Sequence, residues 1–169
     1  MNVLGPIHTV KIFLPLLRKG NLKKIVIVGT EGGERDFVRR VHLPETAAYG
    51  ITKAAENMVA TKYGMELENE GFTVVSVSPG FVDVSSTYSE PRTCFHPWPC
   101  CHSDRPLVAP EANAPKFNQV IQKFYKAYPK TRPLTPQESV ERLLAYIASI
   151  GPADTGVFKP SPEFDNSAQ

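Results

Sequence analysis

An α/β fold around a parallel sheet is predicted by three features of the chain. Two short β-branched runs, Ile25-Val-Ile-Val28 and Phe72-Thr-Val-Val-Ser-Val77, are bounded by turn residues, Gly29 after the first and Pro79-Gly80 after the second. Between them, residues 46–70 place Ile51, Ala55, Met58, Val59, Tyr63 and Leu67 at helical spacing, and Gly71 stands where such a helix ends. Strand, long helix, strand at this spacing makes a right-handed crossover between parallel neighbours. The first run, with no polar residue inside it, reads as a strand buried in a parallel sheet.

The remaining elements follow in order. Val3, Ile7, Val10, Leu14 and Leu17 repeat with helical period, Gly20 is placed to cap that helix, and Pro15 inside it removes one backbone donor and bends it. From Thr30 to Glu45 the chain carries Glu34-Arg35-Asp36 and Arg39-Arg40 and reads as an exposed, charged loop. Residues 84–115, rich in Pro, Ser and Cys, read as irregular, and Phe117–Tyr128 as a helix. Thr135-Pro-Gln-Glu138 is a capping box with proline at the first helical position, which starts a helix running to about Ile150. Thr155–Phe158 suits a last short strand, and residues 161–169 a flexible tail beyond a domain of residues 1–160.

Composition narrows the function classes. With 169 residues, 41% hydrophobic and 21% charged, the chain has the makeup of one globular domain. Its net charge of +2, with no basic stripe, does not suggest a nucleic acid partner. Ile12-Phe-Leu-Pro-Leu-Leu17 is too short to cross a membrane, and Met1-Asn2-Val3 lacks the basic start of a signal peptide. The three cysteines, Cys94, Cys100 and Cys101, are an odd, clustered set that suits a reducing, cytoplasmic setting rather than a disulfide framework. With His102 they invite a zinc reading, but no Cys-x-x-Cys spacing supports it, so no metal is expected. A variable substrate-side loop is the expectation for this stretch.

The pattern that carries chemistry is Tyr49-Gly-Ile-Thr-Lys53. Four residues apart on a helix, a phenol and an ammonium share one face, and the cation makes the phenol's proton easier to lose. Alone the pair is a weak signal that a solvated surface pair would also produce. In the series Asn2-Val-Leu-Gly5, Ile25-Val-Ile-Val-Gly-Thr30-x-x-Gly33, Tyr49-x-x-x-Lys53 and Pro79-Gly80-x-Val82, the chain resembles the short-chain dehydrogenase/reductases. The likeness covers residues 2 to about 83, and Thr135–Phe158 is similar to that family's closing helix and strand. The wording of the segments looks closest to fungal carbonyl-reductase-like members of the sniffer and norsolorinic-acid ketoreductase types.

The resemblance implies a Rossmann-like, doubly wound parallel sheet, of which this chain would be the C-terminal half. It implies that Tyr49 protonates a carbonyl oxygen as hydride arrives, with Lys53 lowering the phenol's pKa and holding the nicotinamide ribose. Thr30, where the family usually has serine, would orient the substrate oxygen, and Asn2 would hold a water in a relay from the lysine. Pro79, Gly80 and Val82 would face the nicotinamide carboxamide, Gly80 because no side chain blocks the approach. Simpler readings stand beside these: Asn2 as a helix N-cap, Thr30 as a hydroxyl satisfying a turn, Pro79-Gly80 as a common turn.

Three departures are informative. Eighteen residues separate Thr30 from Tyr49 where the family more often has about a dozen. Val84 stands where many members carry a carboxamide-binding threonine, with Ser85 and Ser86 beside it. The family's N-terminal glycine-rich βαβ units, which cradle the pyrophosphate, have no counterpart here, since Gly32-Gly33 reads as a turn leading into a charged loop. The expected cofactor is therefore NADP or NAD, with NADPH the first choice, bound weakly for want of that half. The expected partner is a small-molecule carbonyl or alcohol. The strand at Ile25 is expected to expose an unpaired edge. The alternative is a non-catalytic remnant that serves as an interaction module, forming homo- or hetero-oligomers through helix 46–70.

Overall fold

The two β-branched runs pair as parallel neighbours, joined by the long helix between them. The computed structural model describes residues 2–83 and 110–164. In chain order its main elements are α1 (Leu4–Leu17), β1 (Lys24–Val28), α2 (Arg35–Val41), α3 (Ala47–Leu67), β2 (Thr73–Val77), α4 (Pro110–Ala127), α5 (Pro136–Ser149) and β3 (Phe158–Lys159). The strands lie in the order β1-β2-β3, all parallel, with Lys24 opposite Thr73, Val28 opposite Val77, and Ser76-Val77 opposite Phe158-Lys159. This is a Rossmann-like α/β sheet fragment.

Strand alternation divides the core between two faces of the sheet. Ile25, Ile27 and Val74 pack with Val10 and Leu14 of α1 and with Val59, Ala60, Tyr63 and Leu67 of α3. Val26, Val75 and Val77 pack on the other face against Leu143 and Tyr146 of α5 and Ile150 beyond it. The capping box that starts α5 forms as expected, with the Thr135 hydroxyl accepting from the Glu138 N–H and the Glu138 carboxylate accepting from the Thr135 N–H. After α3 a 3-10 turn over Glu68–Glu70 ends on Gly71, whose φ of 76° is the left-handed conformation that glycine adopts without strain.

Several expectations are corrected. The segment from Thr30 to Glu45 is not an exposed loop. It holds a 3-10 turn (Glu31–Gly33) and the two-turn helix α2, whose Phe37 and Val41 are buried with Leu43. Their partners are aromatic: the Phe37 ring lies 5.7 Å from Phe124, 5.8 Å from Tyr128 and 5.2 Å from Phe164. Phe164 is buried in this cluster, and the Ser161 N–H donates to Glu31. Of the stretch 84–115, residues 84–109 lie outside the described residues, and α4 already begins at Pro110.

Gly20 is not a left-handed cap. Arg18, in the right-handed helical region, ends α1, which runs on through Pro15. The last strand is Phe158–Lys159 and not Thr155–Phe158, because Gly156, at φ 77°, turns the chain before it can pair. On α3, Ile51 and Met58 were expected in the core but are 70% and 55% exposed. The buried face is instead Val59, Ala60, Tyr63 and Leu67, with Glu56 and Asn57. Among the described residues β1 pairs only with β2, so it is the open edge the sequence led us to expect. No described helix is long and apolar enough to cross a membrane.

Candidate functional site

The site is built where the strands end at their carboxyl side. Gly29 follows β1, and its N–H donates to the Val77 carbonyl of β2 at 2.8 Å. A Cβ on Gly29 would fall 2.3 Å from Ser76 Oγ and 2.5 Å from Asn57 Oδ1. Those two atoms hydrogen-bond at 2.7 Å, and Asn57 Nδ2 donates to Glu34 Oε1 at 2.9 Å, tying β2, α3 and the turn before α2 together. Glycine at 29 is what gives this polar contact room.

Thr30 comes next, with an extended backbone (φ −164°, ψ 153°). Its Oγ1 accepts from the Gly32 N–H at 3.2 Å, which is the turn-satisfying bond weighed for it from sequence. A hydroxyl that accepts one bond keeps its own proton and a second lone pair for another partner. The turn then seats on the backbone of α3. A Cβ on Gly33 would meet Lys53 C and Ala54 N at 2.7 Å, and a Cβ on Gly50 would meet the Gly32 carbonyl at 2.8 Å. Gly32-Gly33 is therefore a close-contact turn. It leads into α2, not the charged loop expected.

That contact brings Tyr49 to Thr30. A Cβ on Gly32 would lie 3.7 Å from Thr30 Oγ1 and 3.8 Å from Tyr49 Cε1, so hydroxyl and ring border the same small space above a glycine. Tyr49 is half exposed, open to a ligand from solvent. Asn2 is not the N-cap of α1, a place taken by Val3 with no side-chain bond. Its Nδ2 donates to Thr52 Oγ1 at 3.1 Å, and that hydroxyl donates to the Tyr49 carbonyl at 2.8 Å, so Asn2 is fastened to the same turn of α3. Lys53 reaches the end of β1: Nζ donates to the Val28 carbonyl at 2.9 Å and to Glu56 Oε2 at 2.5 Å.

The turn after β2 has the geometry its sequence suggests. Gly80 is left-handed at φ 82°, and its N–H donates to Ser78 Oγ at 3.1 Å. Pro79 is held through its carbonyl, which accepts from Ser139 Oγ of α5 at 2.7 Å. Val82 forms a parallel bridge with Leu134, in which the Leu134 N–H donates to Phe81 O and the Asp83 N–H donates to Leu134 O. In such a bridge the N–H and C=O of Val82 itself point to the opposite side.

Two carboxylates escaped the sequence reading. Glu31 is 5% exposed, with Oε2 accepting from Ser78 Oγ at 2.6 Å and Oε1 from the Ser161 N–H at 2.7 Å. It thus joins the segments following all three strands. Burial pushes its carboxyl above the ordinary carboxylate range, and the bonds from Ser78 and Ser161 oppose that rise. Nothing local announces it, since its partners lie 47 and 130 residues away. Glu56, 6% exposed, is readable in hindsight as the i,i+3 partner of Lys53.

A cavity of about 80 Å³ beside this network, lined by Ser78, Pro79, Ser139, Leu143 and Tyr146 among others, is too small for a ligand of cofactor size. Among the described residues there is no cluster of three or more groups suited to a metal. Cys94, Cys100, Cys101 and His102, like Val84, Ser85 and Ser86, lie outside those residues.

A family model described as short chain dehydrogenase matches residues 1–93. The short-chain dehydrogenase/reductase atnB of an Arthrinium species is 45% identical over 87 residues, 52% of this chain and 33% of that protein. The short-chain dehydrogenase/reductase AacuF of Aspergillus aculeatus is 35% identical over 147 residues, 86% of this chain and 48% of that protein. Among solved structures, NADPH-bound carbonyl reductase from chicken fatty liver superposes with a TM-score of 0.61 at 19% identity, over 93% of this chain and 50% of that one, a likeness of fold. The chain spans between a third and a half of the length of these relatives.

Proposed function

The chain belongs to the short-chain dehydrogenase family, and on that premise we propose that it carries the proton-transfer half of a nicotinamide-dependent oxidoreductase acting on a small carbonyl or alcohol. When bound, the nicotinamide supplies the hydride that joins the carbonyl carbon. Tyr49 then gives its phenolic proton to the carbonyl oxygen, and takes one back in the alcohol-oxidising direction. Thr30 donates its hydroxyl proton to the same oxygen and orients it. Lys53 supplies positive charge on the helix face that also carries Tyr49, and Asn2 steadies the turn of α3 from which Tyr49 projects. Gly80 and Val82 offer backbone to the carboxamide, with Pro79 fixing the turn. The observation that carries this reading is the space shared by the Thr30 hydroxyl and the Tyr49 ring above Gly32.

NADPH is the first cofactor to test, NADH the second, in a cytoplasmic setting. The 169 residues contain no glycine-rich turn like the family's pyrophosphate cradle. The expected result of titrating the purified chain with either dinucleotide, beside a full-length relative, is therefore no micromolar binding and no turnover. Micromolar binding with turnover would refute the impairment and leave the chemistry in place.

A second reading has its own support. Ile51, Met58 and Met65 of α3 and Ile12, Phe13 and Leu16 of α1 are all more than half exposed, an apolar surface suited to a homo- or hetero-oligomer. An inactive chain that sediments as a stable dimer or heterodimer would favour an interaction module over an enzyme.

A further inference from the structure

A carboxylate, Glu31, directly follows Thr30 and is buried, a placement that a charged group takes only with partners. Both of its oxygens are engaged, and both partners border Gly80. Oε2 accepts from Ser78 Oγ at 2.6 Å, and that same hydroxyl oxygen accepts from the Gly80 N–H at 3.1 Å. Oε1 accepts from the Ser161 N–H at 2.7 Å, and a Cβ on Gly80 would fall 2.7 Å from Ser161 Oγ. Glu31 thus holds the Gly80 turn from two sides, through a chain of hydrogen bonds on one and a close contact on the other.

A serine hydroxyl is a rotor, and its lone pairs keep facing one N–H only when its proton is fixed elsewhere. Glu31 does this for Ser78. A hydroxyl that donates to a carboxylate is also the better acceptor, because bonds in a chain polarise one another. Gly80 needs such a hold, since glycine's backbone is the least restricted by its own sterics. The other braces of the turn act on the flanking carbonyls: Ser139 Oγ donates to Pro79 O and the Leu134 N–H to Phe81 O.

We propose that Glu31 is a positioning residue: acting through Ser78 and Ser161 it fixes the Gly80 backbone and, as the chain neighbour of Thr30, sets where that backbone stands relative to the Thr30 hydroxyl. Its value to catalysis rests on the cofactor-facing role given to Gly80 above, while the turn's dependence on Glu31 does not.

The test follows amide hydrogen exchange in the nitrogen-15-labelled full chain at Gly80 and at Thr73, whose N–H donates to the Lys23 carbonyl at the far end of the sheet. Glu31→Leu speeds exchange at Gly80 about tenfold more than at Thr73, the loss of one hydrogen bond's protection. Glu31→Gln keeps one acceptor oxygen, gives a smaller rise of the same pattern, and provides the comparison if the leucine variant does not fold. Ser78→Ala reproduces the rise, and adding the Glu31 substitution to it increases exchange at Gly80 by no more than about twofold. A second readout is the Kd of the folded protein for reduced nicotinamide mononucleotide, which Glu31→Leu weakens about fivefold or more. Equal acceleration at Gly80 and Thr73, the result for a merely stabilising residue, overturns the proposal, as does ligand binding that the Glu31 substitutions leave unchanged. Failure of the wild-type chain to bind the mononucleotide counts against the oxidoreductase reading alone, and the exchange ratio then decides the proposal.

Discussion

Strands β1 and β2 have five residues each, similar β-branched sequences, and a shared register along their whole length. Every residue of β2 is buried, whereas β1 alternates and ends on Val28 at 52% exposure. Composition does not separate the two. What separates them is that, among the described residues, β2 has a strand on either side and β1 on one side only. A β-branched run therefore marks a strand without saying how deeply it lies. The half-open strand leads into Thr30 and the side with the half-exposed Tyr49, and the buried one into the braced Pro79-Gly80 turn.

Proline substitution breaks the comparison most sharply. Gly29 N–H bonds Val77 O and Thr73 N–H bonds Lys23 O, so alternation aims the Val75 N–H at β1 and the Val26 N–H at the open edge. Val75→Pro removes an inter-strand bond in the centre of the sheet, with an expected loss of about 3 kcal/mol or more in urea unfolding. Val26→Pro is expected to cost about 1 kcal/mol and to reduce self-association through the edge, read by sedimentation. Equal losses for the two would mean that β1 is not an edge.

Glu31, which ties the end of β1 to the ends of β2 and β3, sharpens the comparison through pH. Its folded carboxyl titrates above its unfolded value because burial disfavours the charge. Between those two values the native state holds the proton that the unfolded chain has released, so stability falls as pH rises through that window. The slope is at most about 1.4 kcal/mol per pH unit, and Glu31→Gln is expected to abolish it in urea titrations run as a pH series. Glu138 acts with the opposite sign. Arg132 and the Thr135 N–H lower its carboxyl to about 2, so the stability it lends is present above the ordinary carboxylate value and lost as pH falls toward 2.

The smallest effect on stability belongs to the two faces of α3. Met58→Lys, on the exposed face, is expected to change stability by no more than about 0.5 kcal/mol. Any oligomer built on that face should dissociate nonetheless, which analytical ultracentrifugation reads directly.

Much of this was legible in the chain. Residues 46–70 announced α3 through their apolar period and Gly71, and the Thr135-Pro-Gln-Glu138 capping box located α5 to the residue. Sequence failed where local pattern is short or doubled. In α2 only Phe37 and Val41 carry the helical period, and four charged residues among its seven conceal it. On α3 two apolar stripes overlap, so Ile51 and Met58 were assigned to the core beside Val59 and Tyr63. The carboxylate clamp at Glu31 depends on partners brought near only by folding. Glycine 32 was legible as a turn residue, but the space it leaves between Thr30 and Tyr49 is a property of the turn's seat on α3.

The convergence of Thr30, Tyr49, Gly80 and Val82 on one ligand is tested most directly by a nuclear magnetic resonance titration with reduced nicotinamide mononucleotide, the portion of the cofactor these residues would face. The account predicts saturable shifts at the amides of Thr30, Gly32, Gly80 and Val82 and at the Tyr49 ring, with Tyr63 and the α1 amides unmoved. Saturable shifts centred on any other surface, or none at these five residues at about 10 mM ligand, a concentration that reaches Kd values well above 1 mM, would contradict it.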